Sequence, residues 1–308
     1  MDHISDAFKA IREQLPEMEY RTGEPMKKHT SFKIGGNVTT MFFPVTQNEV
    51  VKLIEILHGF GVKPLIIGNG TNLLAEDGLL NILAMKTYGG LNSIRLTDDA
   101  EITADSGVLL SKLASFALEC GLTGLEFAHG IPGTLGGAVS MNAGAYGGEM
   151  KNAVMKTTAL TPDAALFEIT GDAHDFSYRH SRFSDSGDVI LSSALKLTRG
   201  DPGEIKGQMD MLAKKRRESQ PLNMPSAGST FKRPKEGYAA ALIEQAGLKG
   251  YAVGGAMVSE KHAGFVVNRG DATFKDVMNI IDHIRETVMR QFGIELEPEV
   301  KIIRSRQQ

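Results

Sequence analysis

One cysteine, Cys120, stands alone among 308 residues, so no intramolecular disulfide can form and a reducing compartment is expected. It lies in the apolar stretch LASFALECGLTGLEF, where a thiol packs as a small hydrophobe. No apolar run approaches the roughly 20 residues of a membrane span. The amino terminus MDHISDAFKAIREQL threads charges through apolar positions at helical spacing, unlike a signal peptide. A soluble, cytoplasmic chain without a membrane partner is expected. Charge of one sign is also missing: 34 basic against 37 acidic residues give a formal net charge of -3. No whole-molecule field therefore attracts nucleic acid, and any anion site must be local. The eight histidines include no His-x-x-x-His pair, which together with the single cysteine argues against a metal site.

The length suggests about two domains. Residues 5–19 have the spacing of an amphipathic helix. HTSFKIGGNVTTMFFPV alternates as strands around a Gly35-Gly36 turn. TQNEVVKLIEILHGFG offers an N-cap at Thr46, a face of Val50, Leu53, Ile54 and Leu57, and a stop at Gly61; KPLIIG follows as a buried strand. This β-α-β opening delivers a glycine-rich loop to a strand end, where α/β folds place ligands. Helical spacing returns at LLSKLASFALECG, residues 153–199 are strand-rich, and DPGEIKGQMDMLAKKRRES reads as a polar helix with Pro202 near its start. GYAAALIEQAG and TFKDVMNIIDHIRETVMRQFG are helical, with HAGFVVN strand-like between them and EPEVKII at the end. The expected division is 1–205, itself two lobes split near 90–100, and 206–308.

Two glycine regions lack the usual nucleotide signatures. In IIGNGTNLL the sixth position of G-x-G-x-x-G is Leu73, and no Gly-Lys-Ser/Thr occurs. What remains is a tight turn of backbone N–H groups with Thr71 and Asn72 as side-chain donors, which suits a diphosphate held by amides or forms a plain turn. HGIPGTLGGAVSMNAGAYGGEM places seven glycines within 22 residues, interleaved with Ile131, Leu135, Val139, Met141 and Tyr146, a pattern too apolar for a flexible linker. Glycine density of this kind marks close backbone approach.

HTSFKIGG, PLIIGNGTNLL, GLEFAHGIPGTLGGAVSMNAGAYGGE, FSYRHSRF, PSAGSTFKRP, LIEQAGLKGYAVGGAMVSEKHAGFVVN and LEPEVKII, in this order, resemble the UDP-N-acetylenolpyruvoylglucosamine reductases (MurB) from about residue 28 to the end. The resemblance implies an α+β fold: a two-lobed FAD-binding region of the vanillyl-alcohol-oxidase type and a C-terminal α+β substrate-binding domain whose last strand returns its glutamate to the active site. It implies non-covalent FAD held by Gly68, Asn69, Gly70, Thr71, Asn72 and Leu73 on one side. On the other stand Pro132, Gly133, Thr134, Gly136, Gly137, Ala138, Asn142, Gly144 and Ala145. It implies NADPH as hydride donor, UDP-N-acetylenolpyruvoylglucosamine as the small-molecule substrate, peptidoglycan precursor synthesis, and a monomer.

Three residues then match the family's chemistry. Arg179 in FSYRHSRF is by default an ion-paired or solvated strand residue, yet its planar fork suits the carboxylate on which charge develops. Ser229 in PSAGSTFKRP matches the proton donor, with Ser226 and Thr230 as the neighbouring wrong choices. Glu299, ahead of valine in LEPEVKII, matches the glutamate that stabilises the enol; Glu297 lies on the same side of the extended chain. Arg217 and Lys232 are the expected diphosphate partners. The chain resembles the shorter family form, since it lacks the longer form's tyrosine-bearing insertion; Tyr146 is a candidate to take that place. A flavin oxidase or dehydrogenase of an alcohol or sugar on the same fold is the rival reading, and a nucleotide-sugar binding module without chemistry is the third.

Overall fold

The computed structural model describes residues 3–305 and divides by compactness into two units, each assembled from three separated stretches. The first takes the chain through Thr22, Thr40–Asn69 and Ile82–Lys214; the second takes Gly23–Thr39, Gly70–Asn81 and the chain from Lys215 on. The compactness boundary thus falls inside a helix, beyond residue 205, and two early stretches belong with the carboxy-terminal part.

In the first unit, α1 (His3–Gln14) and α2 (Gln47–Gly59) share a core in which Ala7 and Ile11 meet Val50, Leu53, Ile54 and Leu57. Thr46 caps α2 by accepting from the Glu49 N–H, and Gly61 follows with φ +67°. The strand Leu65–Ile67 then runs parallel to the strand Leu79–Lys86, with Ile66 opposite Met85. A second layer is a five-stranded antiparallel sheet in the order Leu166–Thr170, Val154–Leu160, Val189–Lys196, Glu101–Asp105, Ile94–Asp98. α3 (Leu110–Glu119), α4 (Leu135–Ser140) and α5 (Pro202–Ser219) contribute Leu113, Leu135, Val139, Ile205 and Met209 to the same core as Ile102 and Leu195 of that sheet.

The second unit carries α6 (Ala239–Gln245), α7 (Phe274–Phe292) and the antiparallel strands Ala252–Val253, Ala256–Val258 and Val266–Asn268. α7 is fixed at both ends: Thr273 and Asp276 form a reciprocal capping box, and Gly293 closes it in the left-handed region. Val277, Ile280, Ile281, Ile284 and Val288 line one face and share a core with Phe32, Ile34 and Leu74 from the early stretches. The strand Leu73–Ala75 pairs in parallel with Lys301–Ile303, joining residues more than two hundred positions apart.

Two expectations fail locally. The segment before Gly35-Gly36 is not a strand: residues 29–36 are irregular, and only Asn37–Phe43 is extended. Gly36 cannot form a simple hairpin tip because its N–H bonds to Glu76 O at 2.8 Å, tying it to another loop. The polar stretch after α1 also contains a strand, Glu19–Pro25, which its mostly exposed residues and internal glycine conceal.

One buried and one half-buried imidazole, His174 and His262, give the fold an acid sensitivity. His174 Nε2 lies 2.9 Å from Thr157 Oγ1, its Nδ1 lies 3.0 Å from Gly171 O, and its ring stacks on Phe176. His262 Nδ1 accepts from Gly264 N at 3.2 Å. Burial pushes both pKa values below the ordinary histidine value. The unfolded chain takes up protons near pH 6.5, the folded one at lower pH, so this stability is complete above about 6.5 and is lost as pH falls. The urea unfolding midpoint should therefore drop between about pH 7 and 5.5, and His174→Gln should flatten that slope; an unchanged slope would contradict the assignment.

Candidate active site

The first unit presents a glycine cradle. A Cβ on Gly68 would lie 2.2 Å from Thr134 Oγ1, and one on Gly136 would lie 2.8 Å from Ser106 Cβ. Asn69 Nδ2 donates to Pro132 O at 2.6 Å, and Gly133 O accepts from Leu110 N at 3.0 Å. The two glycine regions read from the sequence are thereby brought together at Gly68, Asn69, Pro132 and Thr134. Above Gly137 the surface is open, since a Cβ there would meet nothing within 4 Å except Thr134 Oγ1 at 3.7 Å. Thr134 Oγ1 and Ser106 Oγ are buried hydroxyls without a hydrogen-bond partner among the described residues. Such atoms cost about 1–3 kcal/mol unless satisfied, and a polar ligand in the cradle relieves that cost. The residues present therefore fit an extended dinucleotide. Ser106 was not expected from sequence: it sits in ADSGV, some thirty residues upstream of Gly136, and nothing local marks it. The Ala138 methyl is buried in the core.

Gly144–Ala145 pairs with Gly148–Glu149 across a tip formed by Tyr146 (φ +53°) and Gly147. Beside it lies the FSYRHSRF segment. Arg179 is at the tip of a two-residue turn rather than on a strand: Ser177 N donates to His180 O at 3.1 Å and His180 N to Ser177 O at 3.3 Å. Arg179 has φ +56°, a conformation costing a non-glycine side chain about 1 kcal/mol or more. Its guanidinium donates to Gly144 O at 3.2 Å and lies 5.1 Å from the centroid of the Tyr178 ring. A strained arginine on a turn tip is a common mark of function.

In the second unit, residues 229–232 run antiparallel to 297–300. Glu299 N donates to Thr230 O and Lys232 N to Glu297 O, each at 2.8 Å, with Phe231 bridged to Pro298. Ser229 and Glu299 thus lie on adjacent segments joined by a single β-bridge. Asn72 joins them, since its Nδ2 donates to Glu299 O at 3.0 Å while its own carbonyl accepts from Lys301 N at 3.0 Å. Asn72 therefore ties the segment after Gly70 to the chain around Glu299. Gly70 packs against His29: a Cβ at Gly70 would stand 1.9 Å from His29 O.

The three hydroxyls of PSAGST differ sharply. Ser226 Oγ receives the Gly228 N–H at 3.4 Å; Thr230 is 3% exposed and its Oγ1 accepts from Val266 N at 3.1 Å. Ser229 is exposed just after Gly228, a left-handed residue, and its hydroxyl has no hydrogen-bond partner among the described residues. Lys232 Nζ pairs with Glu297 Oε1 at 2.6 Å, and Arg217 is exposed in the last turn of α5. Among the described residues no group of three or more His, Cys, Asp or Glu side chains could hold a metal ion, and no helix is long and apolar enough to cross a membrane.

Comparison with known proteins places these features. Residues 38–170 match the family model of the FAD binding domain, and residues 220–303 match that of the UDP-N-acetylenolpyruvoylglucosamine reductase C-terminal domain. The chain is 47% identical over 306 residues to the UDP-N-acetylenolpyruvoylglucosamine reductase of Agathobacter rectalis, covering 96% of this chain and 97% of the relative. It is 46% identical over 295 residues to that of Caldanaerobacter subterraneus, covering 95% and 96%. The crystal structure of the Thermus caldophilus enzyme superposes with a TM-score of 0.79 at 31% identity, covering 93% of this chain and 99% of that one. With both halves matched and nearly the whole length aligned, the chain belongs to the UDP-N-acetylenolpyruvoylglucosamine reductase family.

Proposed function

We propose that Arg179, Ser229 and Glu299 carry the chemistry of this chain, an FAD- and NADPH-dependent oxidoreductase that converts UDP-N-acetylenolpyruvoylglucosamine to UDP-N-acetylmuramate. FAD, when bound, would supply hydride-transfer chemistry between NADPH and the enolpyruvyl group. Negative charge then develops on the carbon next to the substrate carboxylate. Arg179 would hold that carboxylate with its two-pronged fork, and Glu299 would stabilise the enol by a hydrogen bond. Ser229 gives its proton to the carbanionic carbon; a weak acid suffices against so strong a base when its hydroxyl is aimed and the alkoxide is stabilised. The observation that carries this reading is the contrast among Ser226, Ser229 and Thr230: Ser229 has the exposed, uncommitted hydroxyl.

In the cradle, Gly68, Asn69, Gly133, Thr134, Gly136 and Gly137 hold the cofactor, with Gly70, Thr71, Asn72 and Leu73 completing the loop. Lys232 exchanges Glu297 for a substrate phosphate and Arg217 assists, since an exposed carboxylate pair is worth little and is easily displaced. Functionally we assign 1–205 to FAD and 206–308 to substrate. The resemblance supports a cytoplasmic monomer in cell-wall precursor synthesis.

Adding NADPH to the yellow protein should bleach the flavin absorbance, and enolpyruvyl-UDP-GlcNAc should restore it without oxygen. Failure of either step defeats the proposal. Acid precipitation should leave the chromophore in the supernatant, because residues 66–74 supply no cysteine or histidine tether; colour retained in the pellet would instead favour the oxidase reading.

A further inference from the structure

Asn142 is 1% exposed and holds φ +43°, a conformation asparagine tolerates better than most residues. Its amide is spent inside the protein. Nδ2 donates to Ser177 O at 2.9 Å and to Glu149 Oε2 at 2.8 Å, and Oδ1 accepts from Lys151 N at 3.0 Å. A primary amide has two N–H groups, so none remains for a ligand. The family resemblance implies Asn142 among the cofactor contacts; its hydrogen bonds run to Ser177, Glu149 and Lys151.

Ser177 opens the turn whose tip is Arg179. Downstream, Ser181 Oγ and Ser184 Oγ each donate to Ser140 O at 2.7 Å. The segment 177–184 is therefore moored to residues 140 and 142, at the carboxyl end of α4. The other end of α4 begins at Thr134, whose hydroxyl faces the Gly68 cradle. One short helix thus links the cofactor wall to the arginine turn, and Asn142 is its buried tie.

We infer that Asn142 is a positioning residue that fixes the turn presenting Arg179, an inference that rests on the reading of Arg179 as the substrate-carboxylate clamp. The tie also explains how a left-handed arginine persists: the Asn142 bond to Ser177 O holds the turn from its base. Misplacing a clamp by about 1 Å costs on the order of 10²-fold in rate.

The test uses Asn142→Gly in the FAD-loaded enzyme, since glycine keeps the left-handed backbone and deletes the side chain; Asn142→Asp, which keeps the acceptor but lacks both donors, serves if the glycine variant does not fold. FAD affinity and flavin reduction by NADPH should stay within about twofold, while reoxidation by the enolpyruvyl substrate slows on the order of 10²-fold. In an Arg179→Ala background the same change should add less than about twofold, because both act on one interaction. Loss of FAD affinity in step with reoxidation, or fully additive losses, would overturn the inference. The chain has no tryptophan, so Tyr178→Trp makes a single fluorescent reporter beside Arg179. Its anisotropy should fall when Asn142→Gly is added, and unchanged anisotropy defeats the anchoring claim. Normal reoxidation by Arg179→Ala alone would instead defeat the clamp reading, leaving the anisotropy to judge the tie.

Discussion

Replacing Ser229 with alanine is expected to slow reoxidation of the flavin by enolpyruvyl-UDP-GlcNAc roughly 10²–10⁴-fold, the span associated with losing a positioned general acid. Reduction of the flavin by NADPH should stay within about twofold, since no proton from Ser229 enters that half-reaction. The side chain is exposed, so its methyl replacement should leave the unfolding midpoint nearly unchanged. Its neighbours provide the contrast. Thr230→Val removes the acceptor for Val266 N and should cost about 1 kcal/mol or more of stability with the half-reactions largely preserved. Ser226→Ala should do little to either, because its hydroxyl makes one long bond to Gly228 N. Stopped-flow spectra of the two half-reactions distinguish these outcomes, and equal slowing of both by Ser229→Ala would refute the proton-donor assignment.

Gly70→Ala should yield colourless protein with a lowered thermal midpoint. Two costs combine there. The residue has φ +65°, and its new Cβ would stand 1.9 Å from His29 O and 2.9 Å from His29 C, well inside any real contact. His29 cannot yield: its ring is 2.9 Å from Glu24 Oε1, both side chains are buried, its N–H bonds to Met26 O, and Ser31 N donates to Gly70 O. Backbone strain alone is worth roughly 1–3 kcal/mol, so the loop that carries Thr71 and Asn72 must move. Gly61→Ala isolates the conformational part, because Gly61 is equally left-handed but a Cβ there meets nothing within 4 Å. That variant should lose only about 1 kcal/mol and remain yellow. If Gly70→Ala binds FAD as tightly as Gly61→Ala does, the close approach at residue 70 has no bearing on the cofactor.

What the sequence reveals here depends on how local the determinant is. α2 and α7 are legible because each signal lies within the helix or at its flank: Thr46 and Thr273 at the start, Gly61 and Gly293 at the end, apolar residues at three- and four-residue spacing between. α4 is not, because LGGAVS holds two glycines in six residues and is helical through its burial on Leu135 and Val139. The glycine regions announce close approach but not its partner; that Gly68 needs Thr134, or Gly70 needs His29, follows from the fold alone. Family resemblance singles out Ser229 and Glu299, while their adjacency arises from a β-bridge across more than sixty residues. The turn that presents Arg179 is set by Asn142 and Ser140, which reach it from thirty-five and more residues away. No periodicity in FSYRHSRF could have shown that.

The parallel pairing of Leu73–Ala75 with Lys301–Ile303 has a consequence for synthesis. During synthesis Leu73–Ala75 must wait, without their pairing partner, until the chain has been made through Ile303. Stop codons a few positions early would remove the docking strand and strand the apolar side chains of Leu74 and Phe32 without Val300 and Ile302.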